Sequence, residues 1–459
     1  MIIKPIRVFE HESLKVGEKG FTSNHLDLLS KYLGDREGDD FPYYSLINKG
    51  VRFKQYVGVI SVGKVQIEVL PKADKKADNE DIWERHLLEM LRVVYKLKVN
   101  VPTEADQQMK RSHVLDVFLD HFLNEVERIL HMGLVKAYRR IEDNRTALKG
   151  RLVMSKHIAK NIIHKECFYV NYTTYDRNQV LNRILYKTLR IISDVTANSH
   201  ITLKAKTLMF EFPELNDIVV SDSLFSKLSY DRKTEEYRDA IELAKMILLN
   251  YMPNLKYSNN NVLALMFDMN KLWEEYVYIM LKRKIGGQYT VLAQNTKNFW
   301  HSDAIGKKTI RPDIVILDNK GENCIAVLDT KWKCPKDGKP SDADLKQMYV
   351  YHEYWRTART ALLYPGNSMK TDGTFYETPS GNTPKKCSMI YLPICDGSNK
   401  TNLTEMINLD AVRTWLGFSS PPASPTVTTS PCSPPVRKAP QSGPPSIALE
   451  IDGDVITLS

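Results

Sequence analysis

The sequence has no apolar run approaching the ~20 residues that a membrane-spanning helix needs, so no membrane span is expected. Its first twenty residues lack an apolar core followed by a small-residue cleavage site. No secretory signal is therefore expected, and a cytoplasmic location is. Cysteine is scarce and scattered. Cys167, Cys324, Cys334, Cys387, Cys395 and Cys432 include no CxxC pair, which argues against a disulfide framework or structural zinc site and for reduced thiols. No internal repeat is present. A complete phosphate-binding loop is missing as well. Residues 58–64 (GVISVGK) begin like one, but Val65 stands where a Ser or Thr must hold magnesium, and no helical pattern follows. That stretch reads as a hairpin turn.

What is present fits a soluble globular protein: 42% hydrophobic and 26% charged residues over 459 positions. The length predicts two or three domains. The formal charge of +9 mildly favours polyanionic partners, because each phosphate contact releases condensed counterions. The expected fold class is α+β or α/β and multidomain, with four segments. Residues 1–75 form a β-rich domain, in which Val57, Val59, Val65, Ile67 and Val69 alternate as a hairpin with one buried face. Lys54, Lys64 and Lys72, with Phe53 and Tyr56, offer this domain a face for DNA contact or for docking a partner. Residues 76–258 are mostly helical, with apolar steps at Leu87, Leu88, Leu91 and Val94, and at Val114, Phe118, Phe122 and Val126. One extended segment, 167–172, interrupts them. Residues 259–418 read as helix (261–282), three strands (289–293, 310–317, 324–331), helix (342–355) and two strands (360–364, 388–393). Residues 419–459 are a Pro/Ser-rich tail that cannot bury enough apolar surface to order itself, with some β character from 447 to 458.

The chemistry concentrates in the third segment. Arg311-Pro312-Asp313 followed by Asp329-Thr330-Lys331 fits the pattern Pro-Asp, spacer, Asp/Glu-x-Lys. Metal-assisted phosphodiester cleavage needs these groups. Magnesium prefers one or two carboxylates plus phosphate oxygens, activates a water and offsets charge on the phosphate. A lysine beside it orients or helps deprotonate that water and adds positive charge. Asp329 and Lys331, two apart on a strand, leave one face. A turn centred near Lys320 or Gly321 sets Asp313 almost opposite Asp329, where cross-strand Cβ atoms stand ~5 Å apart. Two carboxylates beside the apolar stretch 325–328 repel each other unless a cation compensates them. Glu274, one position off the stripe Leu265, Met269, Leu272, Tyr276 and Met280, is a candidate further carboxylate. Gln347 and Tyr351 share a helix face at i,i+4.

These residues carry a family resemblance. Residues 261–365 resemble the PD-(D/E)xK nuclease domain of McrC, the cleavage subunit of McrBC-type modification-dependent restriction systems. The matching pieces are residues 267–277 (FDMNKLWEEYV), Arg311-Pro312-Asp313, Leu328-Asp329-Thr330-Lys331-Trp332, Gln347-Met348-Tyr349 and Leu363-Tyr364-Pro365. Upstream, residues 148–151 (LKGR) and 180–185 (VLNRIL) look like its middle region, and 68–72 (EVLPK) like the N-terminal region of its longer members. The resemblance implies a restriction-endonuclease-like αβββαβ domain and cleavage of double-stranded, modified DNA. It further implies a hexameric McrB-like AAA+ GTPase partner that consumes GTP and is stimulated by this subunit, in a bacterial or archaeal cytoplasm. By motif it implies Asp313 and Asp329 as Mg2+ ligands, Lys331 as the water-activating lysine, Glu274 as an accessory acid and metal ligand, and Gln347 as a further site residue. Cutting both strands would bring two nuclease domains together. Two other readings stand beside it: a repair nuclease of the RecB type, and a non-catalytic DNA-binding adaptor that activates a AAA+ motor.

Overall fold

Residues 56–70 form the expected antiparallel pair, yet both faces of that pair are buried, because partners from distant parts of the chain cover it. The computed structural model describes residues 5–34, 41–62, 65–72, 80–96, 114–196, 198–252, 261–333, 335, 338–357, 359–366, 369–376, 385–393, 407, 409–417, 450–451 and 454–455. The chain opens with β1 (Ile6–Phe9), β2 (Ser13–Lys15), α1 (Ser23–Gly34), β3 (Tyr44–Ile47), β4 (Gly50–Phe53), β5 (Tyr56–Val62) and β6 (Val65–Leu70). It continues through α2 (Glu80–Val94), α3 (Val114–Met132), β7 (Ala137–Arg145), β8 (Arg151–Leu152), α4 (Met154–Asn161), β9 (Phe168–Asp176), α5 (Val180–Val195), α6 (Ser199–Glu211), α7 (Asp222–Ser226) and α8 (Arg238–Leu249). Then come β10 (Tyr251–Met252), β11 (Val262–Asp268), α9 (Met269–Ile285), β12 (Thr290–Ala293), β13 (Lys297–Ser302), β14 (Gly306–Ile310), β15 (Ile314–Leu317) and β16 (Cys324–Thr330). The last elements of the first compact unit, Met1–Gly417, are α10 (Asp342–Trp355), β17 (Arg359–Pro365), β18 (Met369–Thr374), β19 (Lys386–Leu392) and α11 (Asp410–Leu416). Phe418–Ser459 is a second unit, whose described part is the pair β20 (Glu450–Ile451) and β21 (Asp454–Val455). The Pro/Ser-rich stretch that precedes this pair lies outside the described residues, as do Lys64, Cys334, Cys395 and Cys432.

Two sheets organise the first unit. The five-stranded one runs β1-β6-β5-β11-β10. Here a sequence expectation fails: residues 262–268 are not helical but form β11, antiparallel to β5 with Leu265 opposite Val59. A continuous apolar run suits a doubly buried strand as well as a helix, and periodicity cannot separate the two. The helix begins only at Met269, where the Asp268 side chain caps it by accepting from Asn270 N. The first sheet is consequently not confined to residues 1–75. The close approach of β11 also explains Gly58, which has φ +136°; a Cβ there would stand 2.1 Å from the Leu265 carbonyl oxygen. Phe53 is fully buried in this core, so it adds nothing to a contact face. Lys54 donates to the Phe41 carbonyl, and Lys72 lies near Glu12.

The six-stranded sheet runs β12-β15-β16-β17-β19-β18. The β12-β15, β15-β16 and β18-β19 pairs are antiparallel, while β16-β17 and β17-β19 are parallel; α10 is the crossover between β16 and β17. Met348, Tyr351 and Trp355 of α10 pack with Val315, Val327, Leu362 and Tyr364 of the sheet. The expected single strand 310–317 is broken at 311–313 by Pro312, so β14 pairs only with β13 and β15 starts afresh. In the middle of the chain, β7, β9 and β8 form a separate three-stranded sheet, where only part of β9 was expected. The described residues thus form a mixed α+β structure with several sheets. No described helix is long and apolar enough to cross a membrane.

Candidate active site

The register of β15 and β16 pairs Ile314 with Leu328, and one step further along sets Asp313 against Asp329. The pair at the turn is Leu317 with Cys324, and an irregularity between Ile316 and Leu317 shifts the register by the one residue that brings the two acids opposite. The turn closes through Asp318 N to Asn323 O, with Gly321 at φ +74°. Asp313 lies just before its strand. Its Oδ2 accepts from Thr330 N at 2.6 Å and Thr330 Oγ1 at 2.8 Å, which fixes the carboxylate beside Asp329.

Asp329 is 1% exposed. Lys331 Nζ lies 2.6 Å from its Oδ2, so a cation faces this buried oxygen directly. Burial, and then the charge of Asp313, push the Asp329 carboxyl up to about 7, against the pull of Lys331. Burial acts to lower the Lys331 ammonium, yet Asp329, Asp344 and Asp313 together raise it. Lys331 is therefore a cation here. Its Nζ donates to Gln347 Oε1 at 3.3 Å, Gln347 Nε2 donates to Tyr351 OH at 2.7 Å, and that hydroxyl donates to the Arg311 carbonyl at 3.1 Å. The chain of bonds joins the lysine on β16 to the segment that carries Asp313.

Glu274, on α9, stands apart from this pair. Its Oε1 accepts from Gln294 Nε2 at 2.8 Å, and Gln294 N donates to the Asp313 carbonyl. Burial, then Asp313, raise its carboxyl, so it senses the site electrostatically. Among the described residues, no three His, Cys, Asp or Glu side chains stand close enough together to hold a metal ion by themselves. Asp313 and Asp329 can supply two carboxylates at the sheet's end, with the rest of a hard cation's oxygen shell left to water or phosphate.

Sequence reasoning missed Asp344. It is buried on α10, near Lys331 Nζ at 3.8 Å and paired with Lys333 at 2.7 Å. Its position three residues before Gln347 on the same helix was the available signal. It also missed Glu10, whose Oε1 accepts from Trp332 Nε1 at 2.7 Å, since nothing local links positions 322 residues apart.

Two acids and a cation on facing strand ends form a site that can bind a divalent cation and an anionic ester together. The chain belongs to the family described as McrBC 5-methylcytosine restriction system component, whose model matches residues 51–365, more than half its length. Its fold is similar to that of a chain in the refined half-complex from a tetradecameric assembly of Thermococcus gammatolerans McrB AAA+ hexamers with bound McrC. The likeness has a TM-score of 0.59 at 20% identity over 87% of this chain and 97% of that one. A chain of the Thermococcus gammatolerans McrBC complex is also similar, at 21% identity and a TM-score of 0.44, over 61% of this chain and 88% of that one. No curated protein sequence matches the chain.

Proposed function

We propose that the chain is the nuclease subunit of a GTP-driven restriction system, a magnesium-dependent endodeoxyribonuclease that cuts double-stranded, modified DNA. The observation that carries this reading is the Asp313–Asp329–Lys331 constellation on facing strand ends, in a chain of the McrBC family. The order α9, β12, β15, β16, α10, β17 supports a PD-(D/E)xK domain of αβββαβ type, with β13 and β14 as an insertion.

The donor set suits a hard cation. Two neighbouring carboxylates, one of them buried, carry two negative charges against the single positive charge of Lys331, and a divalent cation would offset the repulsion between them. Asp313 and Asp329 would hold Mg2+, with Glu274 near enough to bias the site through charge. When bound, the ion supplies Lewis-acid polarisation of the phosphate and of a water. Lys331, kept protonated by its acidic neighbours, orients that water and neutralises charge on the phosphate rather than accepting a proton. Gln347 and Tyr351 hold Lys331 in position. Thr330 holds Asp313.

By analogy with the assembly of McrB AAA+ hexamers with bound McrC, the partner is a hexameric AAA+ GTPase that binds the GTP and that this chain stimulates. Cutting both strands calls for two copies of the nuclease domain. A second reading, a non-catalytic adaptor that activates the motor, is favoured by the lack of three clustered ligating side chains among the described residues. Mixing the chain and its GTPase partner with methylated and unmethylated plasmid, Mg2+ and GTP separates the readings. The nuclease reading expects GTP-dependent cleavage that Asp329→Ala abolishes while partner GTPase stimulation persists. Stimulated GTPase with uncut DNA in both proteins establishes the adaptor instead.

A further inference from the structure

Beside the candidate site stands a hairpin that neither large sheet uses. β13 and β14 pair only with each other, and nearly all of their residues are exposed. An isolated two-stranded ribbon is marginal in water, so something must hold this one. Its base is pinned to α10: Lys297 Nζ donates to the Tyr354 carbonyl at 2.7 Å, and Phe299 packs on the Tyr354 ring at 5.5 Å. The tip, residues 303–306, is exposed, and β14 leads within three residues to Asp313.

An open groove of about 620 Å3 lies between the hairpin and α10 and ends at Gln347 and Tyr351. Thr309, Arg311 and Lys346 line it. Side chains two apart on a strand leave the same face, so Lys307 extends the line of Thr309 and Arg311 toward the tip. Lys307, Arg311 and Lys346 are all exposed, and none makes an ion pair with a described residue. Between 297 and 310 the sole acidic residue is Asp303, against Lys297, Lys307 and Lys308. At ~3.3 Å per residue, Lys307 and Arg311 stand roughly 13 Å apart, about the rise of four nucleotides along one strand of a duplex. Exposed cations at that pitch, on a groove that opens onto the side chains holding Lys331, suit a regular polyanion leading into the site.

We propose that Lys307, Arg311 and Lys346 form a track that takes the sugar–phosphate backbone of duplex DNA and feeds it to the candidate active site. The β13–β14 hairpin is then a wall of the substrate channel. This inference rests on the nuclease reading and adds to it the surface that positions the substrate. It is sequence-independent binding, because phosphate contacts set register and orientation without reading bases.

The test uses the full chain and a fluorescein-labelled 30-base-pair duplex, with Ca2+ in place of Mg2+. Anisotropy is followed from 50 to 300 mM salt for wild type, Lys307→Ala/Lys346→Ala and Lys320→Ala. Lys320 lies in the turn at the other end of β15 and β16. Each phosphate contact contributes a slope of about −0.9 in log K against log salt, so the double variant is expected to lose about 1.8 of the wild-type slope. Its affinity should fall at least tenfold at low salt, with Lys320→Ala unchanged and all three proteins melting alike. A double variant with the wild-type slope overturns the track; so does an equal loss in Lys320→Ala, which would mean diffuse charge attraction. Cleavage assayed in parallel with the partner and GTP separates this failure from that of the nuclease reading. Unchanged binding with intact cleavage removes only the track, whereas a wild type that neither binds nor cuts removes both.

Discussion

With no metal ion beside it, an ionised Asp329, 1% exposed, is stabilised by Lys331 against burial and the charge of Asp313. Its folded pKa of about 7 lies above the 3.8 of an unperturbed Asp. The folded state therefore holds a proton that the unfolded chain has released. The stability this contributes is complete below about pH 4 and is lost as pH rises through about 7. The metal-free protein should accordingly melt at a lower temperature at pH 8 than at pH 5.5. Asp329→Asn should remove much of that slope and, at pH 8, melt roughly 2–4 °C above wild type, the shift expected for about 1 kcal/mol in a domain of this size. Calorimetry in EDTA across that range checks both, and a wild-type slope in the variant would place the titration elsewhere. The same substitution should cut partner-driven DNA cleavage by on the order of 10²-fold or more, the usual loss when a preorganised charge is removed at a reacting phosphate. Plasmid nicking under Mg2+ and GTP measures it. A variant that is more stable and inactive is the signature of a site built for a ligand that the bare fold lacks.

At the scale of elements, the site was legible wherever its determinants are local. Asp313 and Asp329 come together because a short turn at Gly321 joins two adjacent strands, which counting places to within one residue. The irregularity between Ile316 and Leu317, which no local signal marks, supplies the last step of register. Gln347 and Tyr351 meet because helical spacing brings them together. What stayed hidden depends on partners far away in sequence. β11 carries no alternation because both its faces are covered, and only its pairing with β5 distinguishes it from the helix that follows. β7 alternates half-buried and exposed positions along much of its length, without the strong apolar run that would mark it as a strand. Gly58 makes the β5–β11 pairing testable. With φ +136° and a Cβ position 2.1 Å from the Leu265 carbonyl oxygen, Gly58→Ala forces the two strands apart. The expected cost is roughly 2–4 kcal/mol, a fall of roughly 5–15 °C in Tm. Thermal melting checks it, and a variant within 2 °C of wild type, on the scale of ~2–4 °C per kcal/mol, would mean that β11 does not lie against β5.

Across the whole molecule, the two large sheets meet next to the candidate active site, and Glu10 is the group at the junction. It follows β1 and is buried; its Oε1 accepts from Lys72 N at 2.9 Å and from Trp332 Nε1 at 2.7 Å. Trp332 is the residue after Lys331, and its ring packs at 5.3 Å on Trp273 of α9. A displacement of the N-terminal sheet thus reaches the lysine through one hydrogen bond and one peptide unit. Burial, opposed by the bonds from Lys72 and Trp332 and reinforced by Asp268, pushes the Glu10 carboxyl up to about 7. Its shape and acceptor oxygen therefore matter more than its charge. Glu10→Gln retains an oxygen for both donors and should cut DNA at close to the wild-type rate. Glu10→Ala deprives the half-buried indole N–H of Trp332 and the backbone N–H of Lys72 of that acceptor, at a cost of about 1 kcal/mol. It should also lower the cleavage rate several-fold by loosening Lys331, while the apparent affinity for DNA stays unchanged, since neither Glu10 nor Trp332 lines the groove. Single-turnover cleavage and anisotropy on the same preparations separate the two effects. Equal loss in the Gln and Ala variants would show that the charge of Glu10 matters rather than its hydrogen bonds. A fully active Ala variant would show that the N-terminal sheet does not act on the site through this bond.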